Sequence, residues 1–302
     1  MILPSKVDVV EVGPRDGFQN IKTAIPTPVK HKVIEAMVAA GVRVMEVTSF
    51  VHPKAIPQMA DAAEVAAKSV QNYQGKDFWP IALVPNLTGA KNAWAAGIRE
   101  VTYVISASEK HNLANINRTR EQSLNELAAI MAEVPGLKVR LAAATAFGCP
   151  FLGRVDNDLV FSLADAALQV GVKSVVLCDT IGVADPKQVF QLARAFKTVY
   201  PEVPVGLHLH DTRGMGLANT LAGLEAGVTT FETSIGGLGG CPFAPGAAGN
   251  TATEDMVNMF HAMGIETGID LDKYLAAVRI VREEIQKDIT GHMASACKYE
   301  GL

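Results

Sequence analysis

Two histidines one residue apart, His208 and His210, lie in the apolar run Val-Gly-Leu-His-Leu-His-Asp at residues 205–211. Such a run reads as a strand, on which alternate side chains share one face about 7 Å apart. Two imidazoles so placed can hold one divalent ion. The pattern is short and also fits two half-exposed strand histidines, so other stretches must decide. Asp16, after a first apolar run, offers a carboxylate, and Asn250, after a glycine-rich stretch, offers an amide oxygen. Two nitrogens and two oxygens without thiolate suit Mg²⁺ or Mn²⁺, with Zn²⁺ or Co²⁺ as further candidates. Such an ion acts as a Lewis acid and a template for a hydroxyl or carbonyl beside a carboxylate. Arg15, always charged, suits a developing enolate oxygen, although a phosphate or a surface partner would also serve it. Residues 233–250 are rich in glycine and carry no charge, as a closing lid would. Cys241 near their middle is a thiol able to carry a proton to or from carbon.

These residues need elements to bring them together. Strand-like runs are predicted at Val7–Val12, Val42–Thr48, Trp79–Val84, Glu100–Ile105, Lys138–Thr145, Ser174–Asp179, Val205–His210 and Thr229–Ser234. Helix-period segments lie between them at Pro28–Ala40, Gln58–Ser69, Ala90–Ala96, Arg120–Glu133, Asn157–Val170, Pro186–Val199 and Thr212–Ala226. Repeated strand–helix alternation predicts a parallel sheet, and eight units favour an α/β fold of the (β/α)₈ TIM-barrel type. Gly41, Gly97, Gly171 and Gly227 stand where helices should end. We read residues 1–302 as one TIM-barrel catalytic domain, with the barrel at about 5–265 and extra C-terminal helices at about 266–290. One such helix is predicted at Leu271–Lys287, and the polar tail after Gly291 is expected to be mobile. The polar residues then gather at the C-terminal ends of the strands, where such barrels place their chemistry.

Composition narrows the class. The 302 residues are 49% apolar and 19% charged with a net charge of −4. That composition gives a well-buried core and no basic patch for nucleic acid. No apolar run reaches the ~20 residues of a membrane span. The start carries no signal or transit pattern, and four scattered cysteines (Cys149, Cys178, Cys241, Cys297) without a C-x-x-C suit reduced thiols in the cytoplasm. Cys149 and Cys178 read as packed thiols, and Trp79 and Trp94 as core or helix packing.

The motifs then meet a family. Val-Glu-Val-Gly-Pro-Arg15-Asp16-Gly-Phe-Gln-Asn, Glu46-Val-Thr-Ser-Phe-Val, Pro57-Gln-Met, Pro85-Asn-Leu, Gly148-Cys-Pro, Asp179-Thr-Ile-Gly, His208-Leu-His-Asp-Thr and Gly-Gly-Leu-Gly-Gly-Cys241-Pro-Phe-Ala-Pro-Gly, continuing to Asn250, resemble 3-hydroxy-3-methylglutaryl-CoA (HMG-CoA) lyases. Those belong to a metal-dependent barrel superfamily that also holds isopropylmalate and homocitrate synthases. The resemblance runs from about residue 5 to 285, and its most specific piece is the Cys241 loop.

It implies a retro-Claisen cleavage of an HMG-CoA-like substrate to acetyl-CoA and acetoacetate, of the leucine-degrading or ketogenic type. Asp16, His208, His210 and Asn250 would hold the metal. A base, His208 or a nearby acid, would take the hydroxyl proton, Arg15 would steady the enolate, and Cys241 would protonate its carbon. Glu46 would orient Arg15 or the metal site, and Asp179 and Glu254 would assist the proton path. Lys22, Ser49, Asn115, Asn117, Arg140, Thr180, Arg213 and Glu254 complete the candidate substrate contacts with Arg15. The implied partners are an acyl-CoA and a second copy in a homodimer, with no nucleic acid and no membrane. Three departures, Phe18 for leucine, Cys178 for glycine and Arg213 for an aromatic residue, point to a longer or differently charged acyl group. Three other readings remain: the same chemistry on another 3-hydroxyacyl-CoA, a related metal-dependent aldolase or Claisen synthase, and a non-catalytic acyl-CoA-binding barrel.

Overall fold

The computed structural model of the chain describes residues 3–240 and 249–296. Eight parallel strands close into a barrel: β1 (Asp8–Glu11), β2 (Val44–Ser49), β3 (Trp79–Leu83), β4 (Glu100–Ser106), β5 (Lys138–Ala144), β8 (Ser174–Asp179), β9 (Val205–Leu209) and β10 (Thr230–Thr233). The order around the barrel is β1-β10-β9-β8-β5-β4-β3-β2. Every predicted strand is present with its ends within two residues. The short strands β6 (Gly148–Cys149) and β7 (Gly153–Arg154) form an antiparallel hairpin outside it. Helices α1 (Thr27–Ala39), α2 (Ala62–Tyr73), α3 (Leu87–Ala95), α4 (Glu109–Ile116), α5 (Arg120–Glu133), α6 (Asn157–Gln169), α7 (Pro186–Val199), α8 (Gly216–Glu225), α9 (Thr253–Ala262) and α10 (Leu271–Glu284) accompany the strands. Sequence periodicity misses α4. Its eight residues, Glu-Lys-His-Asn-Leu-Ala-Asn-Ile, carry too little apolar signal.

Local chemistry explains the elements. In α7, Asp185 accepts from the Gln188 amide at 2.9 Å, and Pro186 occupies the first turn, where no amide is needed. Val189, Leu192, Ala193 and Phe196 then recur on one face and are buried. Truncating Leu192 to alanine would cost about 2–5 kcal/mol. Thr119 and Gln122 form a reciprocal capping box on α5. Gly41, Gly97, Gly171 and Gly227 all have positive φ just past a helix, as required for the left-handed cap. Trp79 departs from the core assignment: it is 39% exposed, stacked under Lys138 with its indole donating to Glu100.

Inside the barrel, Val10, Val12 and Ile81 pack with Val44. Ala142, Val176 and Cys178 pack with Val104. The register sets what faces what. Cys178 lies opposite His208, and His208 opposite Glu232. The tail after Gly291 is held through Ala296. His292 and Met293 donate backbone amides to Asp255 at 2.8 and 2.7 Å, and Arg282 bonds the Ala294 carbonyl at 3.0 Å. Asp255, buried at the start of α9, needs those donors; residues 297–302, the rest of the tail expected to be mobile, lie outside the described residues. Among the described residues no helix is long and apolar enough to cross a membrane.

Candidate active site

The turn after β1 is a single π-helical loop, Gly13–Gly17, closed against Ile235. A Cβ on Gly13 would lie 2.6 Å from a Glu11 oxygen, so only glycine allows this approach. The turn places Arg15 and Asp16 at the rim, 8% and 7% exposed. Arg15 donates through Nη1 to Asp16 and through Nε to Glu46 on β2. Gln19 donates to the same Asp16 oxygen at 2.9 Å, and Asn250 to the other at 2.7 Å. Burial pushes the Asp16 carboxyl up, but Arg15 and the two histidines outweigh it and hold it below its ordinary value.

His208 points inward from β9 and His210 follows the strand. Their Nε2 atoms are 3.1 Å apart. His208 Nδ1 meets Glu232 at 2.9 Å, and the other Glu232 oxygen accepts from Arg140. Burial opposes charge on His208, yet the Glu232 bond and charge win and raise its pKa. His210 has no such carboxylate bond among the described residues, and burial with the neighbouring His208 lowers it to about 4. Glu232 itself is held down, against burial, by Arg140 and His208. This is the carboxylate–imidazole pairing that fixes a tautomer and leaves Nε2 with its lone pair.

Asn250 bridges to His210 in an extended pair. Its Nδ2 donates to Asp16 and to the Leu238 carbonyl at 2.9 Å, while its Oδ1 is buried without a partner among the described residues. Asp16, His208 and His210 offer ligand atoms all within 4.8 Å of one another. Two facing imidazole nitrogens, a carboxylate and an unpartnered amide oxygen fit a hard-to-borderline divalent cation.

The four candidate ligands are thus together, with Arg15 and Glu46 beside them. A cavity of about 890 Å³ opens above, lined among others by Arg15, Asp16, Lys22, Asn115, Thr180, His208, His210 and Glu232. Lys22 and Asn115 are exposed at its mouth. Arg140 reaches it through Glu232. Cys241 lies outside the described residues, as does Cys297; Gly240, just before Cys241, lines the cavity and accepts from Asn20 at 3.3 Å. Eight described candidates do not line it: Glu46, Arg140 and Asn250, which reach it through Arg15, Glu232 and Asp16, and five others. Ser49 is fully buried. Asn117 is the left-handed C-cap of α4, beside a second, shallow cavity. Asp179 accepts from the Val183 and Ala184 amides at 2.9 and 3.1 Å, and burial raises its pKa. Glu254 accepts from the Gly236 amide at 3.1 Å, and burial raises it to about 8. Arg213 turns away to the Ile181 and Gly182 carbonyls at 3.2 and 2.7 Å.

Two residues escaped sequence reasoning. Glu232 was an unremarked charge inside an apolar run, where burial demands a partner; its place opposite His208 needed the register. Glu11 accepts from the Gly13 amide at 2.7 Å, the Ile235 amide at 3.0 Å, the Thr253 hydroxyl at 2.7 Å and the Tyr274 hydroxyl. It ties the Arg15–Asp16 turn to the start of the glycine loop.

The HMGL-like family model matches residues 6–281. The chain belongs to this family. It is 42% identical to a hydroxymethylglutaryl-CoA lyase of Bacillus subtilis over 96% of both chains. The crystal structure of the Bacillus subtilis HMG-CoA lyase superposes with a TM-score of 0.92, covering 97% of this chain and 98% of that one. An HMG-CoA lyase from Acinetobacter baumannii, in complex with coenzyme A and 3-methylmalate, is 40% identical with a TM-score of 0.91, covering 100% and 99%. An (R)-citramalyl-CoA lyase of Chloroflexus aurantiacus is 41% identical over 90% of this chain and 88% of its own. The closed barrel of the family is the fold expected from the strand–helix alternation.

Proposed function

We propose that the chain is a divalent-metal-dependent carbon–carbon lyase that cleaves HMG-CoA to acetyl-CoA and acetoacetate. The carrying observation is the buried cluster of Asp16, His208, His210 and the unpartnered Asn250 Oδ1, set against Arg15 at the C-terminal rim of an HMGL-like barrel. Asp16, His208, His210 and Asn250 would hold Mg²⁺ or Mn²⁺. When bound, the ion supplies Lewis-acid polarisation of the C3 oxygen and a template for the free carboxylate.

The reaction breaks the C2–C3 bond of the substrate. Its electron pair passes into the thioester enolate, the C3 hydroxyl gives its proton to water in the cavity, and C3 becomes the ketone of acetoacetate. Arg15 stabilises the enolate oxygen. Its guanidinium is already fixed by Glu46 and Asp16, so it need not reorganise as charge develops. Glu232 orients His208 through Nδ1. That leaves Nε2 for the ligand role and makes His208 a poor base, since both nitrogens are then engaged. Cys241 delivers the proton to C2, giving acetyl-CoA. The approach of Gly240 to the cavity edge supports this role for the thiol after it.

The citramalyl-CoA lyase relative favours a second reading, the same cleavage on another 3-hydroxyacyl-CoA. We also read the chain as a cytoplasmic homodimer serving leucine breakdown; the free, buried thiols Cys149 and Cys178 suit a reducing compartment. The test is product analysis from HMG-CoA with Mn²⁺. Equimolar acetyl-CoA and acetoacetate, falling by orders of magnitude in Cys241→Ala, are expected. A manganese-loaded protein that forms neither product would overturn the proposal.

A further inference from the structure

The cavity has two unlike halves. From β10, β9 and the loop after β1 it receives Glu232, His208, His210, Asp16 and Arg15. From β3, β4, β5 and β8 the side chains are mostly small and apolar: Leu83, Val104, Ala142, Ala144 and Cys178. The register fixes their height. Cys178 is level with His208. Ala143 pairs with Leu177, so Ala144 stands on the same layer one strand further round. Ala142 lies beneath it, opposite Val104. The Arg140–Glu232 ion pair spans from β5 to β10 at the foot of this wall. A carbon whose oxygen sits among Asp16, His208 and His210 therefore faces Cys178 on its β8 side, then two alanines. Cys178 is buried and packs with Ala142, Val176 and Val104, so it adds a small apolar side chain to the wall. Only the Thr102 and Thr180 hydroxyls interrupt it. The cations whose charge reaches Cys178, Arg15 and Arg140, are already paired with Asp16, Glu46 and Glu232, so a charged branch there would be desolvated without a free counter-charge among the described residues. Arg213, the cation expected to read a different charge, is turned to backbone carbonyls.

We propose that this β5–β8 wall is an alkyl subsite, and that the protein takes 3-hydroxyglutaryl-CoA thioesters whose C3 branch is longer than methyl. The inference rests on the lyase reading above and deepens it. Each methylene moved from water to this wall contributes up to about fourfold in kcat/KM, until the wall is filled.

The test compares kcat/KM for thioesters with a methyl, ethyl or propyl branch at C3, in the manganese-loaded enzyme. A parallel titration calorimetry series uses the uncleavable analogues lacking the 3-hydroxyl. Expected are ethyl and propyl substrates turned over at least as efficiently as methyl, and analogue affinity rising with branch length. Ala142→Leu and Ala144→Val, which fill the wall, should lower the propyl-to-methyl ratio tenfold or more. Cys178→Ala, which enlarges it, should raise that ratio. Cleavage of the methyl compound with a tenfold or greater loss at ethyl would sink the inference and leave the lyase standing. A lack of cleavage for every branch would sink the lyase reading instead. The analogue series would then decide the subsite: affinity rising with branch length sustains it, and flat or falling affinity ends it. Should both filling variants fail to fold, by circular dichroism, Cys178→Ala with the wild-type series still decides.

Discussion

Replacing Glu232 with glutamine should separate two jobs that one carboxylate performs. Glu232 receives His208 Nδ1 at 2.9 Å and the Arg140 guanidinium on its other oxygen. Both partners in the Arg140 pair are nearly inaccessible, with side chains 7% and 4% exposed. Glutamine keeps a hydrogen bond to His208 but turns an amide N–H₂ toward Arg140 and leaves that cation buried without a counter-charge. Breaking such a pair costs about 3–5 kcal/mol. At roughly 2–4 °C per kcal/mol for a large domain, that is on the order of 10 °C in Tm. The imidazole also loses its anionic partner, which typically weakens metal binding about 10–100-fold. Differential scanning fluorimetry reads the first effect and Mn²⁺ titration calorimetry the second. Adding Arg140→Met removes the stranded cation. The double variant should therefore recover most of the Tm and keep the weak metal binding. If Glu232→Gln binds Mn²⁺ as tightly as the wild type, the assignment of Glu232 as the group that orients His208 is wrong. If the double variant is no more stable than the single one, the stability cost does not come from Arg140.

Glu11→Gln should destabilise the protein by about 1–3 kcal/mol, since an amide cannot accept from both backbone amides and both hydroxyls. The kcat of the folded enzyme should fall with it, whereas Tyr274→Phe, which removes one of the four donors to Glu11, should give only a part of both effects. Gly239→Ala should weaken Mn²⁺ binding by about tenfold or more, because its φ is +126° and a Cβ would lie 2.4 Å from Asn250 Nδ2; unchanged affinity in calorimetry would contradict the Asn250 role. Glu254 titrates near 8 in the fold against an ordinary 4.5, so the folded state holds its proton more tightly than the unfolded chain. Its stabilising contribution is complete below the ordinary value and is lost as pH rises toward 8, at about 1.4 kcal/mol per unit of difference. Tm measured from pH 5 to 8 should therefore decline more in the wild type than in Glu254→Gln, and parallel curves would refute the buried, neutral carboxyl.

The barrel was legible because each strand is apolar enough to stand out and four of the helices end before a glycine, Gly41, Gly97, Gly171 or Gly227, that takes the left-handed cap. The ligand set was legible for a related reason. Asp16, His208, His210 and Asn250 all lie near or beyond the C-terminal ends of strands, and a barrel brings those ends to one rim. Side-chain direction was not legible. Asp179 and Glu254 also sit beside strand or loop ends, yet each spends its carboxylate on backbone amides beneath the rim. Arg213 is near the ligands in sequence but satisfies carbonyls instead. Glu232 needed the β9–β10 register, and Glu11 needed the contact between two turns more than two hundred residues apart. The small residues Ala142 and Ala144 carry no chemical signal of their own. Their meaning appears only when they stand across from charged groups in one cavity.

The most direct test is a metal titration of one preparation read two ways. Protein stripped with chelator receives Mn²⁺ in steps, bound ion is followed by electron paramagnetic resonance, and acetyl-CoA release from HMG-CoA is measured at each step. One bound ion per chain, with activity rising in proportion to occupancy and both lost in His210→Ala, is the expected result. Full activity in the stripped protein, or tight binding in His210→Ala, would contradict the placement of the chemistry at Asp16, His208, His210 and Asn250.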